Sequence, residues 1–191
     1  MTSRNSGGRF FEWPFLTQPE LESLASSFAS QLRGGEVVCL DGPMGAGKTC
    51  FVRAMARGLG IDRPNKVASP TYTLSQLHRG RIDLMHVDLH RLGEEMGRVD
   101  SGRLGALSAG FEALGLDDVL RGGSIPERPM VIAVEWPEFW PSPPHSRFEI
   151  ALRYKGDEFE GRYLVIRGFG SAEHALAMWQ PTLPIRPSGM T

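Results

Sequence analysis

The chain has little cysteine, little lysine and almost no net charge. Two cysteines in 191 residues, Cys39 and Cys50, rule out a disulfide framework. Both sit where packing explains them, Cys39 within an apolar run and Cys50 near the start of a helical pattern. With 21 basic and 22 acidic residues the formal net charge is −1, so no global field draws the chain to nucleic acid or to an anionic membrane. The basic residues are mostly arginine, and one of the three lysines, Lys48, occupies the segment discussed next. No apolar run approaches the length of a membrane span. The polar, glycine-containing start lacks the apolar core of a secretory signal. These absences point to the cytoplasm. What remains is ordinary globular composition, 41% hydrophobic and 23% charged, at a length that fits one domain with a full core. The expected domain runs over 10–180, with flexible tails at 1–9 and 181–191.

Against that plain background stands Gly42-Pro-Met-Gly-Ala-Gly47-Lys48-Thr49, which fills the P-loop pattern Gly-x-x-x-x-Gly-Lys-[Ser/Thr]. The chemistry explains the spacing. Glycines let successive backbone N–H groups curl around phosphate oxygens. Lys48 sets an ammonium beside the β/γ-phosphates, and the Thr49 hydroxyl is placed to ligate Mg²⁺. The helix that follows points its positive end at the anion. Context agrees: Glu36–Asp41 reads as a buried strand, while Phe51, Val52, Met55 and Leu59 share a helical face that ends at Gly58 and Gly60. Gly42, Met44, Gly45, Ala46, Gly47, Lys48, Thr49 and Cys50 are therefore the candidate nucleotide-binding segment, with ATP and Mg²⁺ as the expected ligands.

Other elements follow from periodicity and punctuation. Thr17 to Arg33 reads as a helix with Thr17 as N-cap and Glu20 closing a capping box. Thr73–His78 and Ile82–Asp88 read as strands around the turn Arg79-Gly80-Arg81. A helix interrupted by glycines is expected within 93–128. Met130–Glu135 has the composition of a central parallel strand. Pro141–Pro144 forms a rigid turn, Arg147–Tyr154 and Arg162–Arg167 form a hairpin, and Ser171 caps a short helix to Trp179. The expected fold is α/β: a P-loop NTPase-like mixed sheet flanked by helices, with antiparallel hairpins.

Hydrolysis needs carboxylates near the metal and the attacking water. Two apolar strands end in acids, at Asp88 and at Glu135, and strand C-terminal ends face the ligand in such sheets. Either acid could instead cap its strand or pair with an arginine such as Arg91. His86, Asp88 and His90 would converge on zinc only if the strand continued through His90. Ser69-Pro70-Thr71-Tyr72 fits a loop that senses the γ-phosphate or a plain helix-to-strand turn. Trp136 either stacks on a base or packs under the sheet edge.

Four segments in this order resemble the TsaE (YjeE) family of bacterial P-loop ATPases: Leu40 to Thr49, Val67 to Thr73, His86 to Arg91 and Val134 to Glu138. The stretches Phe148 to Ile150 and Arg162 to Gly168 resemble that family's closing hairpin. The resemblance implies a role in making threonylcarbamoyladenosine in tRNA. It also implies ATP and Mg²⁺ as ligands, TsaB–TsaD as partner complex, and contact with tRNA only through that complex, away from any membrane. Carried onto this chain, Gly45, Gly47, Lys48 and Thr49 would hold phosphate and metal, and Thr71 would lie in the switch-like loop. Asp88 and Glu135 would be the acidic pair, catalytic with Lys48 and metal-ligating with Thr49, and Trp136 would contribute near the nucleotide or the partner. His90 stands where the family usually has tyrosine, Cys50 where threonine or serine is common, and 93–128 is longer than usual. Two other readings of the residues remain open: a P-loop small-molecule kinase with Arg98, Arg103 and Arg121 in a lid, and a nucleotide-dependent binding module with little turnover.

Overall fold

The computed structural model describes residues 10–70, 72–97, 128–155 and 161–183. Thr71, the tails at 1–9 and 184–191, the stretch 98–127 with its proposed lid arginines, and the connection 156–160 lie outside the described residues.

The chain runs β1 (Phe10–Leu16), α1 (Gln18–Ser30), β2 (Val37–Asp41), α2 (Lys48–Gly58), β3 (Ser75–His78), β4 (Asp83–Asp88), α3 (His90–Gly97), β5 (Met130–Glu135), β6 (Arg147–Lys155), β7 (Gly161–Phe169) and α4 (Ser171–Met178). Single 3₁₀ turns at Pro64–Lys66 and Pro137–Phe139 complete the described elements. One seven-stranded sheet has the order β1-β7-β6-β2-β5-β4-β3. β2 pairs in parallel with both β5 and β6, and β4 pairs in parallel with β5. The β3–β4, β6–β7 and β1–β7 pairs are antiparallel. This is the mixed α/β sheet with antiparallel hairpins expected from the sequence.

Strand alternation divides the core into two faces. Val38 and Leu40 of β2, Leu84 of β4, Val131 and Ala133 of β5, and Phe148 and Ile150 of β6 join the cluster under α1 and α2. Leu21, Leu24, Phe28, Phe51, Val52 and Met55 of those helices complete it. Val37, Cys39, Val87, Ile132 and Val134 face the other way, into a smaller cluster with Leu89, Leu92 and Trp140. Burial pushes the Cys39 thiol up to about 12, so it behaves as a small apolar group.

Local signals set the ends of elements. The Glu20 carboxylate accepts from the Thr17 N–H at 2.8 Å, which closes the expected box at the start of α1. α1 and α2 meet at Gly58, where a Cβ would fall inside 3.0 Å of the Ser26 carbonyl oxygen. Three features differ from the sequence reading. β1 is a strand although its run contains Pro14; it lies at the sheet edge, and its register against β7 shifts between Trp13 and Leu16, where a missing N–H is tolerated. Ser171 is the first residue inside α4 rather than its cap, because Gly170 at φ 58° precedes the helix and the Ser171 N–H donates to Ser146 Oγ at 3.2 Å. The chain also stays docked past 180, with Leu183 packed against the main core. Just before it, Trp179 closes an aromatic group with Phe11, Trp13 and Phe28 at 5.4–6.0 Å between ring centres.

Candidate functional site

The C-terminal ends of β2, β4 and β5 open onto one cavity of about 310 Å³. Met44, Gly45, Gly47, Lys48, Thr49, Cys50, Asp88, Glu135 and Trp136 line it, and Ser69 and His90 join them. Gly42 and Ala46 belong to the same loop but lie behind it, Ala46 fully buried. Thr49 and Glu135, 86 positions apart, therefore converge. The cause is the register: Asp88 pairs with Glu135 and Leu40 with Glu135, so three strands stop at one level.

Glu135 sits at the centre. Its carboxylate accepts from the Thr49 hydroxyl, at 2.9 Å to Oε1 and 3.2 Å to Oε2, and Oε1 lies 2.8 Å from His86 Nε2. Although Glu135 and Asp88 are each only 3% exposed, both are supplied with donors. Asp88 accepts from the Ser69 hydroxyl and, at 2.9 Å, from the His90 N–H. Asp88 and Glu135 are thus placed side by side with oxygen atoms bordering the cavity.

Lys48 lines the cavity and is buried, with Nζ donating to the Gly42 carbonyl at 2.5 Å and the Pro43 carbonyl at 3.0 Å, and lying 3.7 Å from the centre of the Trp136 ring. The reason is its position at the first turn of α2, beneath the loop whose carbonyls it ties. Burial pushes the ammonium below the usual lysine range, while Glu135, Glu138, Asp88 and Asp41 pull it back toward that range. Trp136 itself has left-handed backbone at φ 61°, fixed by its N–H donating to Leu40 at 3.2 Å. Its ring packs 4.7 Å from His90 and stacks at 6.4 Å on Phe139. The packing reading of Trp136 holds, and the residue also lines the cavity.

The donor set suits a hard cation. Thr49 Oγ1, Asp88 and Glu135 offer oxygen only, and among the described residues no group of three or more His, Cys, Asp or Glu side chains could hold a metal alone. That is the arrangement Mg²⁺ uses when phosphate and water supply its other ligands. The zinc reading fails, because β4 ends at Asp88 and His90 opens α3 instead of extending the strand.

Sequence reasoning missed what holds the loop from outside. The Tyr154 hydroxyl donates to the Met44 carbonyl at 2.6 Å, and Arg162 Nε donates to the Ala46 carbonyl at 3.0 Å. Arg153 donates to Asp41, at the foot of the loop. Tyr154 and Arg162 are direct cross-strand partners in β6–β7, with the guanidinium 5.0 Å from the ring centre. Carbonyls held outward leave loop amides free to face inward, the geometry an anion cradle needs. The hairpin pattern would predict the Tyr154–Arg162 pair; nothing in spacing identifies its target.

Comparison with known proteins agrees with this geometry. The profile of a family described as "Threonylcarbamoyl adenosine biosynthesis protein TsaE" matches residues 16–163. Proteins called tRNA threonylcarbamoyladenosine biosynthesis protein TsaE are similar to this chain. That of Bacillus subtilis (strain 168) is 31% identical over 149 residues, 77% of this chain and 80% of that protein. That of Nostoc sp. (strain PCC 7120) is 35% identical over 128 residues, 66% of this chain and 67% of that protein. The Aquifex aeolicus (strain VF5) protein is 42% identical over 77 residues, 40% of this chain, and the match spans only 58% of its own length. In fold, the chain is similar to the crystal structure of Bacillus subtilis YdiB, with a TM-score of 0.62, 21% identity, and coverage of 91% of this chain and 95% of that one.

Proposed function

The chain belongs to the TsaE family of threonylcarbamoyl adenosine biosynthesis proteins, and on that premise we propose that it serves threonylcarbamoyladenosine formation in tRNA by binding and hydrolysing ATP with Mg²⁺. The observation that carries this reading is the meeting of Glu135 with the Thr49 hydroxyl at 2.9 Å, across a cavity that the loop and Lys48 enclose. The loop amides bind the phosphates, and Lys48 leaves its carbonyl partners to neutralise the β/γ charge. Thr49, Asp88 and Glu135 would hold Mg²⁺, which would supply neutralisation of phosphate charge there. Glu135, itself almost fully buried and met by the Thr49 hydroxyl, orients the attacking water. Trp136 forms the wall beside the phosphates. In this reading the loop that carries Thr71 in its sequence responds to the γ-phosphate; Ser69, two residues earlier, already meets Asp88 through its hydroxyl.

The partner is the TsaB–TsaD complex, through which any contact with tRNA passes, in the cytoplasm. No described helix is long and apolar enough to cross a membrane. A small-molecule kinase would need a second substrate pocket and a lid, and no observation favours it over hydrolysis.

The test is phosphate release with and without TsaB–TsaD, in the wild type and in Lys48→Ala. Stimulation by the pair and loss of nucleotide affinity in the variant are expected. Complex formation without stimulation would refute hydrolysis as the contribution of this chain. Unchanged affinity in Lys48→Ala would refute the phosphate role of that ammonium.

A further inference from the structure

One buried, polar side chain at the site has no part in the reaction described so far. His86 lies mid-way along β4, fully buried at 0% exposure. Strand alternation puts Leu84, His86 and Asp88 on the face that also carries Val131, Ala133 and Glu135, and His86 is paired in register with Ala133. The imidazole thus reaches one step along the neighbouring strand, to Glu135 Oε1 at 2.8 Å. Its other nitrogen, Nδ1, finds no hydrogen-bond partner among the described residues.

An ionised carboxylate only accepts, so this contact requires the ring proton on Nε2. Nδ1 is left without a partner in the core, which is unfavourable. An apolar residue at 86 would avoid that cost. What the ring offers in return is the edge that meets Glu135. The Thr49 hydroxyl, the other donor to Glu135, is the same hydroxyl that the ATPase reading assigns to the metal. The His86 bond has no such competing use.

We propose that His86 is the positioning residue for Glu135: its Nε2–H pins Oε1, so that the carboxylate keeps one orientation toward the cavity when Thr49 is engaged elsewhere. The kinetic part of this inference rests on the ATPase reading; the 2.8 Å contact on which it is built does not. Partners that hold a reacting or ligating group in place typically contribute about 10- to 100-fold to activity.

Two variants and one spectrum test it. His86→Leu keeps the apolar volume and removes the donor, whereas His86→Gln carries an amide N–H where Nε2–H stood. With TsaB–TsaD present, kcat for ATP should fall about 10- to 100-fold in His86→Leu at nearly unchanged KM, and should be largely restored in His86→Gln. Nitrogen-15 NMR of the ring in the full chain without nucleotide should show His86 carrying a proton on Nε2. Its ring N–H proton should lose its downfield shift in Glu135→Ala. Protonation on Nδ1 instead, or a ring N–H unmoved in Glu135→Ala, would overturn the proposal. So would a folded His86→Leu with wild-type kcat, or equal losses in both variants. Should the wild type release no phosphate, the ATPase reading fails and the spectrum alone decides this inference; the spectrum also decides it if His86→Leu does not fold.

Discussion

Gly45 occupies a position that the P-loop pattern leaves open to any residue, yet the structure demands glycine there. Its backbone is left-handed at φ +78°, and a Cβ would fall inside 3.0 Å of the Tyr154 hydroxyl oxygen. Gly45→Ala should therefore be destabilising for two separable reasons. An alanine in the left-handed region costs about 1–2 kcal/mol. Making room for its methyl displaces Tyr154 from Met44, breaking a 2.6 Å hydrogen bond whose net contribution is about 1 kcal/mol. The sum is roughly 2–3 kcal/mol, or a fall in Tm of roughly 4–12 °C for a domain of this size. A double-mutant cycle separates the reasons. Tyr154→Phe lacks the obstructing oxygen and has already lost the bond, so Gly45→Ala in that background should cost only the backbone share, about 1–2 kcal/mol. Thermal melts of the four proteins give the coupling, and titration with a non-hydrolysable ATP analogue shows whether the loop loses affinity in step. Equal costs of Gly45→Ala in both backgrounds would refute the idea that Tyr154 shapes the loop.

Three further outcomes are expected. Glu135→Ala should lower turnover far more than nucleotide affinity, because water orientation matters in the transition state; an equal loss in titration and kinetics would assign Glu135 to ground-state binding. Gly58→Ala should be destabilising by about 1–2 kcal/mol in urea melts despite the better helix propensity of alanine, because its methyl meets the Ser26 carbonyl and, at 3.0 Å, Ala29 Cβ; a gain in stability would show that α1 and α2 can move apart without cost. Asp83 gives the pH dependence. Burial alone would raise its carboxyl, but hydrogen bonds from Arg79 at 2.6 Å and the Gly80 N–H at 3.2 Å, with the Arg128 guanidinium at 3.4 Å, hold it below the usual range. The stability it contributes is complete above the ordinary carboxylate value near about 4 and is lost as pH falls through the lower folded value. Asp83→Asn should thus weaken the protein in urea at neutral pH and leave it unaffected in strong acid; the same loss at both would refute the ion pairing.

How far the sequence was legible depends on how local each cause is. Strand, loop and α2 were readable because the motif, the buried run before it and the helical face after it lie within a short stretch. Asp88 and Glu135 could be placed together because each closes an apolar strand, and parallel strands ending at one level need only a shared register. β1 was obscured by Pro14, whose tolerance depends on an edge position that exists only once β7 is beside it. Lys48 could be placed at the site from the motif, but its contacts with its own loop carbonyls and with Trp136 could not, since nothing in the motif names those partners. His86 was legible only as one of three conditional zinc ligands, a reading that ends where α3 takes His90 out of the strand. The hold of Tyr154 and Arg162 on the loop was the least legible, because it arises from the neighbourhood of β2 and β6 rather than from any spacing.

That hold spans 110 residues from Met44 to Tyr154 and 116 from Ala46 to Arg162. During synthesis the motif leaves the ribosome long before the hairpin that tightens it. At about 5–20 residues per second, the nascent chain carries a slack, unbraced loop for roughly 6–20 s. A product that stops at Trp136, just past β5, would hold every residue that lines the cavity but neither of the bonds that turn the Met44 and Ala46 carbonyls outward.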